Sequence, residues 1–192
     1  MLAEVETRAV TASDIALARA LGLFGLEPSE EPLSADDVER AVGVWIVVIQ
    51  AQRLRLSAVG ESRAEAWRAA ADRFGGPPAF EAWLSRVGVE PEWARQLVED
   101  DLDWRQFIDL RFRAFAFVTE DQVRDGLGGE PDTPETRARV RAKLEAAEVE
   151  QRLAEWLGEE RRRVAVQRLL APPERVPVPF SMPTLPPRPA QP

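Results

Sequence analysis

The side chains of this sequence that could act as acids, bases or ligands are almost all carboxylates. Among its 192 residues there is no Cys and no His, and Lys143 is the one lysine among 25 basic residues. Without Cys there is no disulfide framework, thiol nucleophile or thiolate metal site. Without His, a Ser-His-Asp triad, an HExxH zinc site and imidazole acid–base catalysis are excluded. The densest carboxylate group is Glu99, Asp100, Asp101 and Asp103. Consecutive helical positions point about 100° apart, so only Glu99 and Asp103, four apart, share a face. An oxygen-only Mg2+ site would need further ligands from a second helix. The group therefore reads as a solvated acidic face. Gly128-Gly129 has no GK[ST] after it and follows no strand, so it is no phosphate cradle. Arg161-Arg162-Arg163 reads as favourable charge at a helix C-terminus. No catalytic residue, cofactor or metal is assigned, and the chain reads as a non-enzyme.

The elements that must position any site are set out by Pro, Gly and capping residues. Residues 2–10 alternate weakly, as a short strand or hairpin. Thr11-Ala-Ser-Asp14 is a capping box opening a helix to about Phe24, closed near Gly25. Ser34-Ala-Asp-Asp37 opens a second helix, apolar on all sides through Val38–Ile49 and therefore buried, whose pattern runs on through Leu54 and Leu56. Ser62-Arg-Ala-Glu65 caps a third, stopped by Gly75-Gly76. Pro78 starts a fourth, which Gly88 ends. From Pro91 the longest helix runs to about Phe117, with Trp93, Leu97, Trp104, Phe107, Ile108 and Phe115 on one stripe and Asp100 and Arg111 intruding into it. Two readings of that intrusion stand: a bent or partly solvated helix, or a polar pair lining a groove. Thr119-Glu-Asp-Gln122 caps a brief helix ending at Gly126, and 126–132 is a loop. Pro134 opens a last long helix with a stripe of Ala142, Ala146, Val149, Leu153 and Trp156 and a shorter face of Val140, Leu144 and Ala147. Arg163–Leu170 alternates like a strand.

The predicted fold class is mainly α: a multi-helix orthogonal bundle with a small N-/C-terminal β element, then a disordered Pro-rich tail. The domain is expected over 1–170 and the tail over 171–192, where nine of 22 residues are proline. Within the tail Pro183-Thr-Leu-Pro-Pro-Arg188 matches the PxxPxR pattern of SH3 ligands, a match that proline richness alone explains. The formal charge of −8 argues against nucleic acid. The longest apolar run, Ala41–Ile49, is far below the roughly 20 residues that span a bilayer. The segment after Met1 has neither the basic nor the apolar part of a secretory leader. Six Trp residues are present, five of them between Trp45 and Trp104. Such residues pack cores, and where partly exposed they suit apolar peptide.

The order of segments resembles the N-terminal chaperone domain of SurA-type proteins, periplasmic foldases that carry parvulin-class prolyl isomerase modules. The resemblance is carried by Arg73–Gly76 ("RFGG"), Phe80–Leu84–Gly88, Arg111–Arg113 and Val118–Val123, and covers about residues 2–125. Glu6-Thr7 departs from the Gly- or Asp-containing hairpin turn of that family. The resemblance implies that an isomerase module would follow the "VTEDQV" segment and that the chain would then return, here as 134–170, to complete the domain. The short 126–132 loop stands in that module's place, and parvulin sites generally use histidines, which this chain lacks.

What the resemblance implies is non-catalytic, chaperone-like binding of unfolded or extended polypeptide in an apolar groove between helices, with Phe80, Trp83, Trp93 and Phe112 as its lining. Oligomeric state is not set by the sequence. The other reading is a structural or assembly subunit docked on one dedicated protein partner. The resemblance places the protein in the periplasm, whereas a chain without a leader would stay in the cytoplasm.

Overall fold

The chain begins by doubling back on itself. Ala3–Val5 (β1) and Arg8–Val10 (β2) pair antiparallel with Val5 opposite Arg8, leaving Glu6 and Thr7 as a two-residue turn. Glu6 takes the left-handed conformation (φ 55°) that so tight a turn requires. In this computed structural model, which describes residues 2–29, 31–56 and 63–168, the last described segment returns to the same hairpin. Val166–Arg168 (β3) pairs antiparallel with β1, giving the order β2-β1-β3. The central strand thus joins the two ends of the described chain, and its Ala3 and Val5 side chains are fully buried.

Seven α-helices lie between these strands among the described residues, so the protein is mainly helical with a small antiparallel sheet. Helices α1 (Ala12–Leu21) and α2 (Ala35–Arg53) open on the Thr11/Asp14 and Ser34/Asp37 capping boxes. Each supplies a hydroxyl and a carboxylate to otherwise orphaned amides. Helix α1 stops at Gly22, three residues before the expected glycine. Gly22 is left-handed, and its N–H returns to the Ala18 and Arg19 carbonyls. The Arg73 guanidinium donates to the Leu21 carbonyl and fills the space a side chain at Gly22 would need. Helix α2 is buried on nearly every side, as its continuous apolar run implied, but ends at Arg53 with Leu54 exposed.

Helices α3 (Arg63–Asp72), α4 (Pro77–Val87) and α5 (Pro91–Arg111) follow. Helix α4 starts one proline earlier than expected and ends at the left-handed Gly88. Trp67, Phe74, Phe80 and Trp83 stack between α3 and α4, with Phe74 4.7 Å from Trp83 and 4.8 Å from Phe80. Helix α6 (Glu120–Gly126) and the 27-residue α7 (Pro134–Glu160) complete the set.

The described chain divides into two compact units. One comprises 2–106 with 164–168, and the other 107–163, the division falling inside α5. The Ser62 cap, Leu169–Leu170 of the last expected strand, and the Pro-rich tail with its PxxPxR stretch lie outside the described residues.

Candidate functional site

The four neighbouring carboxylates of α5 do not form one solvated face. Asp100 is fully buried. Its Oδ1 accepts from Gln52 Nε2 (3.2 Å) and Gln96 Nε2 (3.1 Å), and its Oδ2 accepts from Arg8. The Arg8 guanidinium also lies 4.0 Å over the Trp45 ring. Asp101 is buried as well: one oxygen accepts the Phe24 N–H (2.6 Å) and the other pairs with Arg105 (2.9 Å). That bond holds Phe24 in a left-handed conformation (φ 54°), its ring edge-on to Trp45 and Trp104. Glu99 pairs with Arg63 at 2.8 Å. Burial raises the pKa of Asp103 above the ordinary aspartate value, and the charges of Asp100 and Glu99 add to this while Arg63 and Gln52 oppose it. Two of the four carboxylates therefore anchor the first unit: Asp100 ties β2, α2 and α5 together, and Asp101 fixes the turn after α1. Arg111, grouped with Asp100 on the helical wheel, is exposed and lies 5.5 Å over Trp156.

The expected peptide-binding residues occupy different places. Phe80 and Trp83 are fully enclosed in the α3/α4 aromatic cluster and offer no surface. Trp93 is half-buried and donates from Nε1 to Asp14 Oδ1 (3.0 Å), a tie from α5 to the start of α1. Phe112 belongs to the second unit, where it is buried between Phe107 (6.0 Å) and Trp156 (5.8 Å). As placed here, Phe80, Trp83 and Phe112 are core residues. A groove lining needs exposed side chains, and none of these three supplies one.

The exposed apolar surface lies just beyond. Leu110 (53% exposed), Phe115 (56%) and Phe117 (80%) fall within eight residues of the second unit. The sequence pattern placed Phe115 on the core stripe because α5 was expected to reach Phe117. Instead α5 ends at Arg111, and Arg113–Phe115 forms one 3-10 turn, in which Phe115 N–H donates to Phe112 O (3.0 Å) and Ala116 N–H to Arg113 O (3.1 Å). Phe112 stays anchored against Phe107 and Trp156, while Phe115 at the end of the turn is exposed.

Residues 116–119 belong to no helix or strand, and Ala116 and Thr119 are extended. Ala116 is buried, Phe117 exposed and Val118 partly buried against the cluster of Val123, Leu127, Val140 and Leu144. Thr119 ends the stretch as the N-cap of α6: its N–H donates to Gln122 Oε1 (2.8 Å), and Gln122 N–H donates to its hydroxyl (3.3 Å). Arg141 and Arg137 both pair with Glu120 and hold its pKa below the usual carboxylate range, the Arg141 hydrogen bond being the main cause. Phe117 is thus presented between two fixed points. The usable sequence signal was the Thr119–Gln122 capping box, since an N-cap residue is extended and so closes off any helix running into it.

The chain matches no protein-family model and no curated protein.

Proposed function

We propose that this protein is a non-catalytic, chaperone-like binder of unfolded or extended polypeptide. On this reading it is a SurA-type domain without a prolyl isomerase module, working in the periplasm. The observation that supports it best is the exposure of Leu110, Phe115 and Phe117 within one short stretch. Among the described residues the one other large apolar side chain with comparable exposure is Leu54. Clustered apolar exposure costs solvation free energy and marks surfaces that other molecules cover. A binder of this kind needs apolar side chains held at the surface by a rigid frame. Phe112 on one side and the Thr119 cap on the other supply that frame. The acidic net charge favours the solubility of a protein that exposes such side chains.

The test is suppression of light scattering from a chemically denatured client diluted into buffer. The wild type at micromolar concentration should slow aggregation. A Leu110→Ser, Phe115→Ser, Phe117→Ser variant should lose most of that effect while nearly keeping its thermal midpoint, because all three side chains are more than half exposed. A wild type that leaves aggregation unchanged, or a variant as effective as the wild type, refutes the proposal. Activity confined to one client, with others ignored, would favour the dedicated-subunit reading.

A further inference from the structure

We infer that α6 is an acid-releasable clasp on α7, closed by the Glu120 carboxylate among the guanidiniums of Arg124, Arg137 and Arg141 and opened when that carboxylate is neutralised. The inference concerns the second unit alone and holds whatever the protein binds. Helix α6 has 7 residues, and an isolated helix shorter than about 12 residues is marginal in water. Its helical form therefore depends on docking against α7. The apolar share of that docking is small. Val123 and Leu127 meet Val140 and Leu144 of α7, with Val118 packed against the same cluster. Gly126 permits the close approach, since a Cβ there would lie 2.8 Å from Val140 Cγ1.

The rest of the docking is ionic and runs in one sense, carboxylates from the α6 side meeting guanidiniums of α7. Glu120 pairs with Arg141 and with Arg137 (3.4 Å). In the loop after α6, Glu130 pairs with Arg139 and Asp132 with Arg137 (2.8 Å). Arg124, one turn along α6 from Glu120, pairs with Asp121 at 2.9 Å. Asp125, Glu135 and Glu145 are the other carboxylates of this stretch. The hydrogen bond and charge of Arg141, then the charges of Arg137 and Arg124, hold the Glu120 carboxyl below its ordinary value.

Such exposed pairs are weak one by one. Neutralising Glu120 does more than delete them, because it leaves three guanidiniums around an uncharged group. The cations of α7 stand at 137, 139, 141 and 143, and like charges four apart on a helix repel. Acid neutralises carboxylates and leaves arginine charged. A carboxyl held low supports the docked form above pH 4.5 and loses that support as pH falls through its lowered value. Opening therefore belongs to the acid side of pH 4.5, and it uncovers the apolar cluster under α6.

The experiment is hydrogen exchange read by mass spectrometry on the full chain, corrected for the intrinsic pH dependence of exchange, with α2 as internal reference. At neutral pH Glu120→Gln should cut the protection of the α6 amides about tenfold, the factor that two coupled exposed ion pairs carry, and leave α2 unchanged. In the wild type, acidified to about pH 3, α6 should lose protection at a higher pH than α2. Adding Arg141→Gln to Glu120→Gln should restore part of the lost protection, because one repelling guanidinium is gone.

Unchanged α6 protection in Glu120→Gln overturns the clasp. So does a loss that α2 shares, or a wild type whose α6 and α2 lose protection together in acid. A double variant protected no better than Glu120→Gln overturns the repulsion that opens it. Suppression of aggregation is read separately, so the chaperone reading stands or falls on its own test.

Discussion

Asp100 offers the sharpest perturbation of the first unit. It is 0% exposed and receives hydrogen bonds from Arg8, Gln52 and Gln96. Asp100→Ala removes the acceptor and strands three donors, one of them charged. Breaking a buried ion pair on one side costs about 3–5 kcal/mol. The Arg8 side chain is 29% exposed and reaches water, so the loss falls at the lower end, about 3 kcal/mol. For a chain of this length each kcal/mol moves the midpoint by about 2–4 °C, giving a drop of roughly 6–12 °C by scanning fluorimetry. Hydrogen exchange should speed up in the β1 and β2 amides, because Arg8 is the link from β2 to α5. Arg8→Ala combined with Asp100→Ala should show a coupling of at least about 1 kcal/mol. A midpoint shift below about 2 °C, or strict additivity in the cycle, would refute the assignment of Asp100 as the anchor of the hairpin.

Asp103→Asn should stabilise the protein near neutral pH. Burial raises the Asp103 pKa in the folded state, so its carboxylate opposes folding once pH exceeds that value, and protonation in acid relieves the opposition. The advantage of the variant over the wild type should therefore vanish below about pH 3.9. Urea midpoints across pH check this, and a gain that grows in acid would contradict it. Gly126→Ala would place a Cβ 2.8 Å from Val140 Cγ1, inside the cluster that seats Val118. Overpacking at about 1–3 kcal/mol should outweigh the roughly 1 kcal/mol that alanine gains in a helix, so the urea midpoint falls.

The capping chemistry was legible from sequence because it is local. Thr11 with Asp14, Ser34 with Asp37 and Thr119 with Gln122 each satisfy amides within three residues, and the structure forms all three boxes. The buried character of α2 was legible for a related reason, since an uninterrupted apolar run leaves no face for water. What escaped depends on residues far apart in the chain. Gly22 rather than Gly25 ends α1, where Arg73 caps the Leu21 carbonyl from 52 positions away. Asp100 looked solvated until Arg8, 92 positions away, came to meet it. On α7 the expected Ala142–Trp156 stripe is split: Ala142 and Ala146 are exposed, Val140 and Leu144 face α6, and Trp156 faces Phe107 and Phe112. The exposed Phe115–Phe117 stretch was hidden by extending the helical period across Arg111, where the backbone leaves the helix.

The central claim is that Phe117 meets unfolded polypeptide. A photo-crosslinking amino acid at position 117, compared with one at the exposed Arg86, tests it directly with a client presented denatured and then folded. Adducts should form from position 117 with the denatured client alone, and position 86 should give none. No adduct at 117, or equal adducts from both positions, would contradict the claim.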